Sequence, residues 1–133
     1  MKRNKTIILA ILAIFIVLQG CSKKLLLEHE EAMNVEIKDI DFRTLRSGEY
    51  NGYYEGGMYQ WRENECKVLV DSQKVTVIEL VSSTAQYTQD FIDTLYGRVI
   101  NQQTLQVDAV SGATLDSKAC LKAIENALIK AGK

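Results

Sequence analysis

The chain of 133 residues has no proline, a single histidine, three cysteines and almost no excess of either charge. Without proline, no helix is broken from within by a missing N–H. One histidine, His29, and no Cys-x-x-Cys pair leave no donor set for a structural zinc site and no base for a histidine-dependent triad; the expected catalytic and metal residues are therefore none. A net charge of −1 gives no electrostatic footprint for nucleic acid. The longest apolar run, Ile7 to Leu18, is too short to span a ~30 Å hydrocarbon core as a helix.

That run does have the layout of an export signal. Lys2, Arg3 and Lys5 precede it, and no acidic residue occurs before Cys21. Leu18-Gln19-Gly20-Cys21 resembles the lipobox of bacterial lipoproteins, which implies cleavage after Gly20 and palmitate-type acylation of Cys21 on its thiol and new amino group. Multiple acyl chains anchor stably where one does not. The expected organisation is a signal peptide at 1–20, a lipidated tether and spacer at 21–43, and one compact domain at 44–133. The mature chain keeps 13 basic and 17 acidic residues, a net charge of −4. Its expected location is the outer side of the cytoplasmic membrane or the cell surface. Disulfides are allowed there, but Cys66 on a strand and Cys120 on an inner helix face read as two small buried hydrophobes in preference to a bridge.

Residues 22–34 are charged and without a clear period, and Glu28-His29-Glu30-Glu31 within them reads as solvated. Val35, Ile37, Ile40 and Phe42 suggest a short strand followed by a turn. The stretch Gly48 to Trp61 mixes glycines with Tyr50, Tyr53, Tyr54 and Tyr59, and glycine inside a strand marks a bulge, a bend or a close backbone approach. Cys66, Val68 and Val70 alternate with Lys67, Leu69 and Asp71, Asp71-Ser72-Gln73 forms a turn, and Lys74 to Ser82 gives another strand. In that strand Thr76, Ile78 and Leu80 are expected to face one way and Val75, Val77 and Val81 the other. The short connections require antiparallel pairing. From Thr88, a candidate N-cap, Phe91, Ile92, Leu95, Val99 and Ile100 recur at helical spacing; a second amphipathic helix runs from Thr114 to Ala131. The expected fold class is α+β, a small antiparallel sheet packed by two amphipathic helices.

Asp108-Ala109-Val110-Ser111-Gly112-Ala113-Thr114 stands where an extended stretch meets the start of the last helix. Free N–H groups and the positive end of the helix dipole favour an anion there, Gly112 lets the backbone approach closely, and Ser111 and Thr114 bring hydroxyls. A phosphate suits the place, and so does a simple N-cap; residue chemistry alone leaves both open.

The segment resembles the Asp-x-x-Ser/Thr-Gly-Ala-Thr motif of the FMN-binding domain family, which includes the C subunit of the sodium-pumping NADH:quinone oxidoreductase and the G subunit of the Rnf complex. Ser47-Gly48-Glu49-Tyr50-Asn51-Gly52 is similar to the family's opening Asp-Gly-x-Tyr-x-Gly, with Ser47 in place of the aspartate. The resemblance covers roughly residues 44–131, and a seven-residue motif opening an amphipathic helix is far more specific than a lone glycine pattern. It implies FMN joined to Thr114 by a phosphoester bond, with Asp108, Ser111, Gly112 and Ala113 as recognition and phosphate-cradling positions. The implied partner is a magnesium-dependent flavin transferase that uses FAD as donor, which explains how an alcohol without an activating base is modified. It also implies a membrane-anchored electron carrier with redox partner proteins, and a substrate of the transferase more than a stand-alone enzyme. Tyr53, Tyr54, Tyr59 and Trp61 are candidate flavin neighbours, against the alternative of core and surface aromatics. Where many stand-alone members place a histidine, the chain reads Ser82-Ser83-Thr84-Ala85-Gln86. Two other readings stay open: a module binding FMN or another phosphorylated ligand without a covalent bond, and a structural or accessory lipoprotein whose motif is a helix cap.

Overall fold

A computed structural model describes residues 2–132, with the side chains of 17–19 and 21 outside the description. The acylation expected at Cys21 and the Leu18-Gln19 lipobox positions therefore lie outside the described side chains. The chain folds as helix α1 (Lys2–Met33), a short 3-10 turn (Phe42–Thr44), strands β1 (Gly48–Tyr54), β2 (Asn64–Asp71) and β3 (Lys74–Ser83), and helices α2 (Gln89–Gln102) and α3 (Thr114–Ala131). The three strands form one antiparallel sheet in the order β1-β2-β3. The fold is α+β, as the pattern of periods requires. Among the described residues no helix is long and apolar enough to cross a membrane.

The core lies between one face of the sheet and the two later helices. Cys66, Val68 and Val70 of β2 are fully buried, and α3 brings Cys120, Ala123, Ile124, Ala127 and Leu128 onto them. Gly52 shows why β1 is glycine-rich: a Cβ there would sit 1.9 Å from the Ala123 carbonyl oxygen and 2.6 Å from the Ala127 nitrogen. Strand and helix meet backbone to backbone, and only glycine fits. Helix α2 starts where its sequence indicated, with the Thr88 hydroxyl accepting from the Phe91 N–H at 3.2 Å. It ends at Gln103, in the left-handed region (φ +53°). The Gln103 side chain then pairs with β3 as a strand would, accepting from the Val75 N–H at 2.9 Å and donating to the Val75 carbonyl at 2.8 Å.

Three expectations are corrected. The regular alternation in β3 fails because the register with β2 shifts between Leu69 and Val70, leaving Thr76 as an extra residue. Val75 therefore faces the core along with Ile78, while Val77 and Val81 are exposed. Val35 to Phe42 is not a strand. Its backbone is held by side chains instead: Lys118 Nζ donates to the Val35 carbonyl, Lys122 Nζ to that of Glu36 and Gln106 Nε2 to that of Ile37, while the Lys38 N–H donates to Glu125. Finally, residues 22–33 are helical, and the last turns of α1 dock on the domain through Glu28 and Ala32, both buried. The Glu28 carboxylate is ion-paired with Arg62, which also holds Asp116 on α3 at 3.0 Å. The Glu31 carboxylate accepts from the Met58 N–H at 2.9 Å.

Candidate functional site

The segment from Asp108 to Ala113 has no regular structure of its own and is fixed from both sides. Arg98, on α2, donates from one guanidinium nitrogen to the carbonyls of Asp108 (2.8 Å) and Ala109 (3.0 Å). Ser117, fully buried one turn into α3, accepts from the Val110 N–H at 3.0 Å and donates to the Ala113 carbonyl at 2.7 Å. A tight turn closed by the Ala113 N–H on the Val110 carbonyl (2.9 Å) carries Gly112 at φ +77°. An added Cβ on Gly112 would meet nothing within 4 Å, so it is the turn conformation that needs glycine there. The space in front of that turn is open.

Helix α3 begins at Thr114, whose side chain is exposed. Its N-cap is Ala113, and no side chain closes the helix start. The cap reading of Ser111 and Thr114 therefore does not describe the geometry: neither hydroxyl serves the first-turn N–H groups, which remain donors aimed out of the helix. The positive end of the helix dipole and these donors sit beside a free alcohol.

Two clefts meet at Thr114. One, of about 380 Å³, is lined by Gly112 to Asp116 on one wall and by His29, Met33 and Arg62 on the other. The second, of about 360 Å³, is lined chiefly by Ile37, Leu105, Val107, Leu121 and Lys118, and includes Asp108 and Ala109. Both volumes lie in the range of ligand pockets, roughly 300–1,000 Å³. The structure thus brings Asp108, Gly112, Ala113 and Thr114 to cleft walls, with Ser111 exposed beside them.

The four aromatic candidates are placed elsewhere. Tyr53 is exposed on β1 and donates to Glu63 at 2.8 Å; Tyr59 and Trp61 stack on each other in the β1–β2 connection, ring centres 5.0 Å apart. Tyr54 is buried and lines a small cavity together with Glu28, Glu31 and Ala32 of α1, Arg62 and Leu115. Burial, with Glu55 and Glu31 nearby, raises its phenol above the usual range. None of the four lines either cleft at Thr114. Sequence reasoning missed Arg62, His29, Met33, Arg98 and Ser117. Only Ser117 carried a local signal, since it falls on the buried stripe of α3 one turn after the motif.

In the core between β2 and α3, Cys66 and Cys120 are free and fully buried. Burial pushes both thiols up to about 12, so at neutral pH they are unionised. Among the described residues no group of three or more His, Cys, Asp or Glu side chains is arranged to hold a metal ion.

Residues 34–129 match the model of the FMN-binding domain family. The chain is also similar to an NADH:acrylate oxidoreductase of Vibrio harveyi, 29% identical over 107 residues; the match covers 77% of this chain and 10% of that protein. The chain thus matches about a tenth of that relative's length. No solved structure matches the chain.

Proposed function

The chain belongs to the FMN-binding domain family, and on that premise we propose that it carries FMN as a phosphoester on Thr114 and serves as a lipid-anchored electron carrier outside the cytoplasmic membrane. The observation that supports covalent attachment most directly is the state of the α3 start. Thr114 is exposed at its first position, no side chain caps it, and Gly112 leaves open space in front of it.

The residues present fit the group. A phosphate ester on Thr114 Oγ meets the unpaired first-turn N–H groups and the positive end of the dipole. Either adjacent cleft accommodates a flavin-sized ring. In the attachment step, performed by a transferase, the Oγ–phosphorus bond forms as the pyrophosphate bond of FAD breaks; AMP leaves and the hydroxyl proton passes to a base of the transferase. Arg98 and Ser117 present the acceptor by holding residues 108–113 in one conformation. Asp108, Ser111 and Gly112 are exposed at the surface where a modifying enzyme reads them.

When bound, FMN supplies one- and two-electron transfer. The chain's part is to hold it on a rigid helix end and to exclude water from one side. The NADH:acrylate oxidoreductase is about ten times the length of the matched region. We read the present chain as a flavin-carrying module that exchanges electrons with redox partners, with Cys21 acylation keeping it at the membrane.

Co-expression with a flavin transferase tests the reading. Fluorescence that stays with the denatured polypeptide on a gel, absent from Thr114→Ala and retained by Thr114→Ser, is expected. Flavin lost on denaturation of the wild-type chain would establish non-covalent binding instead.

A further inference from the structure

Thr114 stands on the rim of two clefts, and the charges and free donors around it are not shared equally between them. The wall formed by Gly112, Ala113, Thr114, Leu115 and Asp116 carries the first-turn N–H groups of α3 and opens onto α1 and Arg62. The opposite cleft includes Asp108, whose carboxylate makes no ion pair among the described residues, whereas the Asp116 carboxylate of the first cleft is held by Arg62 at 3.0 Å; Lys118, in the opposite cleft, donates to the carbonyls of Met33 (2.6 Å) and Val35 (3.1 Å).

The α1 side is also a built wall. Arg62 is fixed between Asp116 and the Glu28 carboxylate, itself 2% exposed. A buried carboxylate is retained only when paired, so Glu28 holds both the guanidinium and the helix turn that bears it. Glu31 on the Met58 N–H, and Lys118 on the carbonyl of Met33 at the end of α1, fasten the same turn at two further points. His29 and Met33, one turn apart on α1, then face the α3 start across a cleft of about 380 Å³.

Resting on the covalent reading of Thr114, we infer that the isoalloxazine ring lies in the cleft between α1 and α3, against His29, Met33 and Leu115. The helix that links the domain to its membrane anchor is then a wall of the cofactor site and not a free tether. Arg62 stands at the ring's edge, held in place by Glu28 and Asp116. The site is complete only when residues 28–33 are docked.

Two exposed positions, one in each cleft, decide the side. A tryptophan in contact with a flavin quenches its emission. The full chain, co-expressed with a flavin transferase and purified in detergent, is compared as His29→Trp and Gln106→Trp. Flavin emission of the native protein is referred to the emission of the same sample after proteolysis. A several-fold loss in His29→Trp with none in Gln106→Trp is expected. Loss in Gln106→Trp alone would overturn the inference by placing the ring against Ile37 and Val107, and equal emission from both variants would overturn it by leaving the ring in solvent. Denaturing gels of the same samples separate this from the underlying reading: polypeptides without flavin fluorescence refute covalent attachment itself.

Discussion

Gly52→Ala isolates the contact that sets the height of α3 above the sheet. The new Cβ would lie 1.9 Å from the Ala123 carbonyl oxygen, 2.6 Å from the Ala127 nitrogen and 2.8 Å from the Ala127 Cβ. Reaching the shortest separation that real Cβ contacts tolerate requires strand and helix to part by about 1.1 Å. Two of the three atoms are helix backbone, and Ala123 and Ala127 are both fully buried, so no side chain can rotate aside. The cost belongs at the top of the usual overpacking range, about 3 kcal/mol. Loss of unfolded-state freedom on replacing glycine offsets about 0.4–1 kcal/mol. A net loss of roughly 2–3 kcal/mol lowers Tm by about 10–20 °C in a domain of this size. Thermal unfolding followed by circular dichroism measures it. Ala127→Gly in the same chain removes only the 2.8 Å contact and should rescue little. A Gly52→Ala protein melting within about 3 °C of the parent would refute the close approach of β1 to α3.

Other consequences follow from particular contacts. Arg62→Met strands the buried Glu28 carboxylate and should cost about 3–5 kcal/mol in denaturant unfolding, whereas Glu28→Leu with Arg62→Met removes both charges and should recover most of it; equal losses in the two proteins would deny the pair. The β2–β3 turn places Ser72 (φ +50°) and Gln73 (φ +63°) in the left-handed region, so Asn-Gly in their place should raise stability by about 1 kcal/mol, and a drop would contradict the turn geometry. Both thiols stay protonated in the fold to about 12, while unfolded thiols ionise near the usual 9. Their contribution is therefore present below pH 9 and lost as pH rises from there towards 12. A thiol reagent at pH 8 should label Cys66 and Cys120 only after unfolding, and rapid labelling of native protein would contradict their burial.

Local periodicity carried most of the architecture. Helix α3 and the capped start of α2 repeat apolar residues every three or four positions, and β2 alternates buried Cys66, Val68 and Val70 with outward-facing Lys67, Leu69 and Asp71, because each element buries one face on a single partner layer. What failed was set at a distance. The bulge at Thr76 reverses the facing of β3 through its pairing with β2. Val35 and Ile37 are spaced as in a strand, yet the carbonyls of Val35, Glu36 and Ile37 are taken by Lys118, Lys122 and Gln106. Glu28 reads as solvated in its own charged neighbourhood, since its partner Arg62 is remote in sequence. The motif at 108–114 marks the candidate site from its residues alone. The second wall, made by His29, Met33 and Arg62, had no local signature, because opposite sides of a cleft share neither period nor spacing.

The central claim is a covalent bond at Thr114, and mass spectrometry tests it most directly. The chain is exported together with a flavin transferase, its intact mass is measured, and its peptides are fragmented. The account predicts an added mass of FMN less water, confined to the peptide holding Thr114 and missing from Thr114→Ala. An unmodified chain, produced beside a transferase that loads a control substrate, would contradict it.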